Sequence, residues 1–320
     1  MNLRGTKFPP ILWLTICLPI VDSLIKPSIA ADEEDVTQVE SANFRIALPV
    51  SDKRFGQKIL EMAESARKTV LVKIPQAMAE RIGLIWCPTE REFYARIGGS
   101  GRGGQLLAVA VPSMRRVYLN GEQLRRLDLI GLRQALIHEF VHVYVGGAVR
   151  KPLPRWLDEG LAMYVAGEWD LGNATALATS GLFGGLLPIE SLTYGFPSDA
   201  TGLRKAYRQS YSMTAYLVDL RYPNSGISGL IADLVKDESA GIRSLLSDPT
   251  WLKRFEQLWF EQWVRPGQVT LVVTSSGTLW IVVTFLFLCA YLRKRRVRGR
   301  REAQWALEAE FSYHDDVFDD

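Results

Sequence analysis

"LIHEFVHVYVGG", residues 136–147, holds two of the three histidines of a 320-residue chain, four positions apart, with a glutamate directly after the first. On a helix, positions i and i+4 project from one face, one turn apart. His138 and His142 therefore present two imidazoles to one point, and two neutral nitrogens suit zinc. A catalytic zinc site keeps three protein ligands and an open position for water, so this stretch requires a third ligand from elsewhere in the chain. Glu139, beside the first candidate ligand, is placed to act as the base that takes a proton from that water.

The third ligand is not a histidine of the same domain. The remaining one, His314, lies beyond a long apolar run near the C-terminus. A metzincin pattern would need glycine and histidine three and six places after the second ligand, where this chain has Val145 and Ala148. The next segment, "KPLPRWLDEGLAMYVAG" at residues 151–167, reads as a helix with Pro154 in its first turn and acidic residues inside an apolar face. Sixteen residues separate His142 from Glu159. That is enough for the first helix to end near Gly146 and Gly147, turn, and pack a second helix against it, with Gly160 and Ala162 allowing close approach. From the residues alone, Asp158 and Glu159 are both candidates for the third ligand. A carboxylate among Trp156, Leu157 and Leu161 is otherwise a poor group to bury.

These two segments resemble the gluzincin metallopeptidases of the peptidase MA superfamily. "HEFVH" is similar to that family's H-E-x-x-H, and "PRWLDEGLAMYV" to its tryptophan, two residues, glutamate and glycine. The resemblance takes in residues 42–264, with "RRVYLNG" upstream and "AYRQSYSMTAYL" downstream as its weaker parts. It implies that His138, His142 and Glu159 bind one zinc per chain and that Glu139 is the general base. It also implies that an edge strand near Val117 to Asn120 holds an extended peptide by backbone hydrogen bonds. Thermolysin-like members use a further histidine to stabilise the oxyanion, and this domain has none to spare. Tyr207 and Tyr211 are the candidates to replace it, because related aminopeptidases use a tyrosine. As helix aromatics they also suit simple core packing.

Outward from this centre, the composition is 48% hydrophobic and 23% charged, that of a globular protein with a sizeable core. Residues 31–267 carry 28 basic and 27 acidic residues, a near-neutral balance in which nothing suggests nucleic acid, so none is expected as a partner. "NFRIALP" alternates like a strand, Phe55 to Val72 has helical spacing, and "IGLIW" at 82–86 reads as a strand. A short helix over "TEREFYARI" precedes two β-prone runs, "LLAVAVP" and "RVYLNG". Helices are predicted at 123–146, 154–167, 200–221, 226–236 and 249–264. Strands first and helices afterwards predict an α+β domain, and the resemblance makes it zincin-like and two-lobed: a small N-terminal sheet lobe with the active-site helix, and a helical C-terminal lobe. "GSGRGG", Gly99 to Gly104, matches a dinucleotide fingerprint but leads into a β-prone run rather than a helix, so it reads as a mobile loop.

The ends place the domain. Residues 1–30 read as a secretory signal: Arg4 and Lys7, the apolar "ILWLTICLPIV", then small residues up to Ala30. Residues 31–41 are expected to be a flexible acidic leader. Val269 to Leu292 is uncharged and ends at "RKRRVRGRR", so 269–292 is predicted to be a transmembrane helix with a cytoplasmic tail at 293–320. The domain at 42–264 then lies on the extracytoplasmic side of the membrane. Cys87 is the single cysteine of that exported part, which excludes an intrachain disulfide there. The function expected is a membrane-anchored zinc peptidase acting on extracytoplasmic peptides or proteins, with endopeptidase action favoured because no amine-binding motif is recognisable. The alternative is a non-catalytic domain of the same kind that binds peptides or envelope proteins.

Overall fold

A computed structural model of the chain describes residues 36–75, 81–98, 106–149, 152–236, 241–274, 277 and 280–296. The described residues fall into two units, divided between Arg265 and Pro266.

The first unit is α+β, with a small N-terminal sheet and a mostly helical remainder. Its strands are β1 (Val36–Glu40), β2 (Phe44–Pro49), β3 (Ile82–Cys87), β4 (Ala108–Val111) and β5 (Arg116–Asn120), in the order β1-β2-β3-β5-β4. β2, β3 and β5 run parallel, while β1 and β4 close the two edges antiparallel. Alternation divides the side chains between two faces. Phe44, Ile46, Leu48, Leu84, Trp86, Val117 and Leu119 enter the main core. Cys87, Val109 and Tyr118 join a smaller cluster with Phe93 and Ile97 of α2 (Glu90–Ile97).

Two expectations are corrected by this sheet. The leader expected to be flexible at 31–41 contains β1, paired with β2 from Val36↔Pro49 to Glu40↔Arg45; residues 31–35 lie outside those described. An edge strand this exposed needs no apolar alternation, so its residues carry no strand signal. The segment Val117 to Asn120, expected at the sheet edge, is internal: β5 sits between β3 and β4, and β4 is the edge.

The main core face carries α1 (Lys53–Lys73) and α4 (Leu129–Ala148), with α3 (Gly121–Leu124) between β5 and α4. The single helix expected over 123–146 is thus two. Asp128 divides them, because its carboxylate accepts the Gly131 amide at 2.7 Å and caps α4. From Leu132 to Val145 nearly every residue of α4 is buried, so this helix is enclosed on all sides.

The helical remainder comprises α5 (Arg155–Ala166), α6 (Leu171–Leu182), α7 (Ile189–Tyr194), α8 (Ala200–Arg221), α9 (Gly226–Lys236), α10 (Ile242–Leu246) and α11 (Pro249–Trp259). Pro154 stands at the N-cap of α5 rather than within it, and Gly167 ends the helix with φ 73°. α5 packs against α4 on one side and α8 on another. α5 and α8 approach closely at Gly160, where an added Cβ would clash with Thr214 Oγ1 and the Ser210 carbonyl oxygen. The small residue expected to admit α4 therefore admits α8. A π-helical turn, Phe260–Val264, ends the unit; its defining bond runs from the Arg265 amide to the Phe260 carbonyl.

α12 (Arg265–Thr274) leads into the second unit, where 280–296 is also helical. Among the described residues no helix is long and apolar enough to cross a membrane. The spanning helix expected at 269–292 is thus not found as one element, and residues 275, 276, 278 and 279 within it lie outside those described. The signal expected at 1–30, the glycine-rich loop at 99–105 and the tail from 297 also lie outside them.

Candidate metal centre

α4 turns His138 and His142 toward α5 and Glu139 toward Ala110 of β4, and α5 returns Glu159 from a face that would otherwise be apolar. All four are almost fully buried, none more than 1% exposed. The His138 and His142 rings lie 5.0 Å apart between centroids, inclined at 66°. Glu159 Oε2 is 3.5 Å from His138 Nε2 and 3.8 Å from His142 Nε2. These distances are too long for good hydrogen bonds and too short for the three groups to be unrelated. One ligand atom from each of His138, His142 and Glu159 lies within 4.8 Å of the others.

The far side of each ring meets another carboxylate. His138 Nδ1 is 2.9 Å from Glu168 Oε1, a hydrogen bond in which the ring N–H donates. His142 Nδ1 is 3.2 Å from Asp158 Oδ2, off the line of a good hydrogen bond. Carboxylates behind metal-binding imidazoles fix ring orientation and tautomer. Asp158, open as a third ligand from sequence, thus stands behind His142, while Glu159 is the carboxylate turned toward both Nε2 atoms. Sequence reasoning missed Glu168. Its signal was Gly167: the left-handed turn there sets the Glu168 amide against the Met163 carbonyl at 3.0 Å and brings the carboxylate back under His138.

Glu139 lies beside the group on α4. The Ala110 amide of β4 donates to its carboxylate, and Oε2 has no hydrogen-bond partner. Register explains why that amide is available. Leu107 is bonded to Asn120, and alternation along an antiparallel pair turns the Ala108 and Ala110 backbone groups away from β5. Burial raises the Glu139 pKa, outweighing His138, His142 and the amide, which lower it. For His138, burial acts to lower the pKa, but Glu168, Glu159 and Glu139 together hold it well above the ordinary histidine value. His142 is raised against burial by Asp158 and Glu159.

The residues fit a metal ion. His142 Nε2 and both Glu159 oxygens are buried without hydrogen-bond partners, which is costly unless something else satisfies them. Four carboxylates (Glu139, Asp158, Glu159 and Glu168) crowd two imidazoles, and a divalent cation would offset that charge. Two nitrogens and one carboxylate oxygen suit zinc.

The candidate tyrosines are held in aromatic packing on α8. Tyr207 meets Phe196 edge-on at 5.2 Å and shares a cluster with Met163 and Leu203. Tyr211 stacks on Trp169 at 4.5 Å and 7°. Met163 is one helical turn beyond Glu159, so Tyr207 belongs to the same side of α5 as the candidate ligand.

Residues 125–241 match a family model described as peptidase MA superfamily. The matched stretch runs from before α4 into the residues after α9 and includes His138, Glu139, His142, Asp158, Glu159 and Glu168. It is narrower than the 42–264 suggested by the resemblance, and the five-stranded sheet lies outside it. No curated protein matches the chain.

Proposed function

We propose, starting from the peptidase MA match over residues 125–241, that this chain is a zinc-dependent metallopeptidase in which His138, His142 and Glu159 hold the metal and Glu139 is the general base. The observation that carries the reading is the convergence of two imidazole Nε2 atoms on one oxygen of a buried glutamate.

Bound zinc would supply Lewis-acid polarisation of the scissile carbonyl and a water acidic enough to ionise near pH 7. The protein's own groups do the rest. Glu168 and Asp158 hold the two rings from behind. Glu139, anchored by the Ala110 amide through its carboxylate, has a second oxygen free to take the proton from water. From there it would pass that proton to the leaving amine. An extended peptide would add to β4, the edge strand, rather than to β5, and would pair with the Ala108 backbone groups and the Ala110 carbonyl, since Glu139 takes the Ala110 amide. Tyr207 or Tyr211 would stabilise the oxyanion.

The extracytoplasmic setting belongs to the same proposal and rests on sequence alone: the signal-like start, the uncharged run at 269–292 and the basic residues just after it. External protease added to intact spheroplasts should degrade the main body and spare a label at Asp320. Cleavage of that label from outside would reverse the orientation.

Metal analysis and hydrolysis of a peptide library, with and without zinc, test the central claim. About one zinc per chain and zinc-dependent cleavage are expected. Retained zinc with no cleavage would favour the alternative, a domain of the same fold that only binds peptide. A domain that takes up no zinc would remove the basis of both.

A further inference from the structure

Arg155 stands four residues before Glu159 on α5, one turn away on the same face. Its guanidinium lies 3.7 Å from Glu159 Oε1, the oxygen that does not face the histidines. The same guanidinium sits over the Phe196 ring, 4.9 Å from its centroid. The side chain is 23% exposed, so the arginine is largely enclosed at the margin of the metal centre.

Helix stability does not account for a cation here. Arg155 is the first residue of α5, where the macrodipole presents its positive end and a positive side chain is disfavoured. An i, i+4 pair with the cation preceding the acid is also the poorer of the two orders. Against these local preferences the guanidinium is placed between the Glu159 carboxylate and the Phe196 ring, beside the candidate metal ligand.

We propose that Arg155 is a positioning residue for Glu159, holding its Oε1 aside so that the carboxylate presents Oε2 alone to the two imidazoles. Phe196 serves as the platform that fixes the guanidinium plane. This rests on the reading of Glu159 as a metal ligand. A planar fork suits the task better than an ammonium, since stacking on an aromatic face and pairing with a carboxylate edge are both open to it.

The test measures zinc affinity by competition with a chelator, together with the visible absorption of the cobalt-substituted protein, for wild type, Arg155→Met, Arg155→Lys and Phe196→Leu. Cobalt absorption weakens as the coordination number rises, so it reports whether the carboxylate begins to bind through both oxygens. Arg155→Met is expected to lose roughly tenfold or more in zinc affinity, as for other groups that orient ligands, with weakened cobalt absorption. Arg155→Lys and Phe196→Leu should fall between it and wild type, and they carry the test if Arg155→Met does not fold. Unchanged affinity and spectrum in all three variants would overturn the proposal. A fall in kcat with both readouts unchanged would also overturn it, and would make Arg155 a group acting on substrate. A wild-type protein that holds no metal would defeat the reading of Glu159 itself, a result distinct from either.

Discussion

The Nδ1 atom of His138 lies 2.9 Å from Oε1 of Glu168, thirty residues away in the chain and nearly as buried as the histidine it meets. This bond ties the left-handed turn after α5 to α4, the helix that carries both candidate histidine ligands. It also fixes which His138 nitrogen is available to a metal, because a ring whose Nδ1 donates a hydrogen bond presents Nε2 as its lone pair. Glu168→Ala should therefore lower zinc affinity by roughly 10- to 100-fold while leaving the ligands in place. Glu168→Gln keeps an acceptor oxygen and should lose less. Chelator competition on the folded variants checks this, and equal affinity in wild type and Glu168→Ala would show the bond to be incidental.

Gly160 gives a packing prediction that reaches the same site. A methyl group there would fall on Thr214 Oγ1 and the Ser210 backbone, which a rigid α8 cannot easily yield. Gly160→Ala should cost about 1–3 kcal/mol by overpacking. Because Glu159 is adjacent, zinc affinity should fall with it. Gly147 is the control: an added Cβ meets nothing within 4 Å, so Gly147→Ala should be neutral or slightly stabilising. Denaturant unfolding of both variants separates the two cases.

The centre was legible because its signals are local. The spacing of His138 and His142, the helix-breaking residues around Pro154 and the glutamate inside an apolar stretch each depend on a few neighbouring positions. The illegible parts depended on tertiary pairing. β1 is an exposed edge strand whose side chains need not alternate, and the identity of the sheet edge depends on β4 folding back on β5. α6 buries only Leu177 and Ala178, so its sequence carries almost no amphipathic period. Glu168 escaped because no helical spacing relates it to His138; only the turn at Gly167 does. Asp158 and Glu159 were separated by which face of α5 each occupies, a matter of packing against α4 that adjacent residues in a sequence do not reveal.

The buried carboxylates make the metal-free protein sensitive to pH in a defined direction. The folded-state pKa values of His138 and His142 are raised from the ordinary 6.5. The folded state thus binds these protons more tightly than the unfolded chain. Their contribution to stability is complete below 6.5 and is lost as the pH rises through the raised values. Glu139, raised from 4.5, acts with the same sign from a lower starting point. The chelated domain should melt at a lower temperature at pH about 8.5 than at pH about 6. Zinc reverses the slope, since its ligands must be deprotonated and its affinity rises with pH. Melting curves with chelator and with zinc test both signs, and a chelated domain indifferent to pH would contradict the electrostatics of the site.

The two tyrosines differ in what a phenylalanine would disturb. Tyr207→Phe keeps the ring against Phe196 and Met163, and Tyr211→Phe keeps the stack on Trp169, so each variant removes only a hydroxyl. If one hydroxyl is the sole oxyanion donor, its loss should lower turnover by a factor of order 10² with zinc content unchanged. Kinetics on both single variants decide between them. Unaltered turnover in both would leave the role to an arginine or a backbone amide.

Glu139 separates an enzyme from a binding module, because it adjoins the candidate metal centre without being counted among its candidate ligands. One role for its carboxylate is that of an ordinary buried group, held by the Ala110 amide and tolerated by the fold. The other is that of a base, and the unpartnered Oε2 beside the histidines favours it. Glu139→Gln keeps the volume and an acceptor for the Ala110 amide but removes the base. Zinc should stay bound, and hydrolysis should fall by at least the roughly 10²-fold typical of losing a general base. Glu159→Gln should act earlier in the sequence of events, by weakening zinc retention itself, since a neutral amide is a poorer ligand than a carboxylate. Zinc content measured beside peptide hydrolysis for wild type and both variants distinguishes the two glutamates. Full activity in Glu139→Gln would sink the mechanism while leaving the metal site standing, and full zinc retention in Glu159→Gln would return Asp158 to consideration as the third ligand.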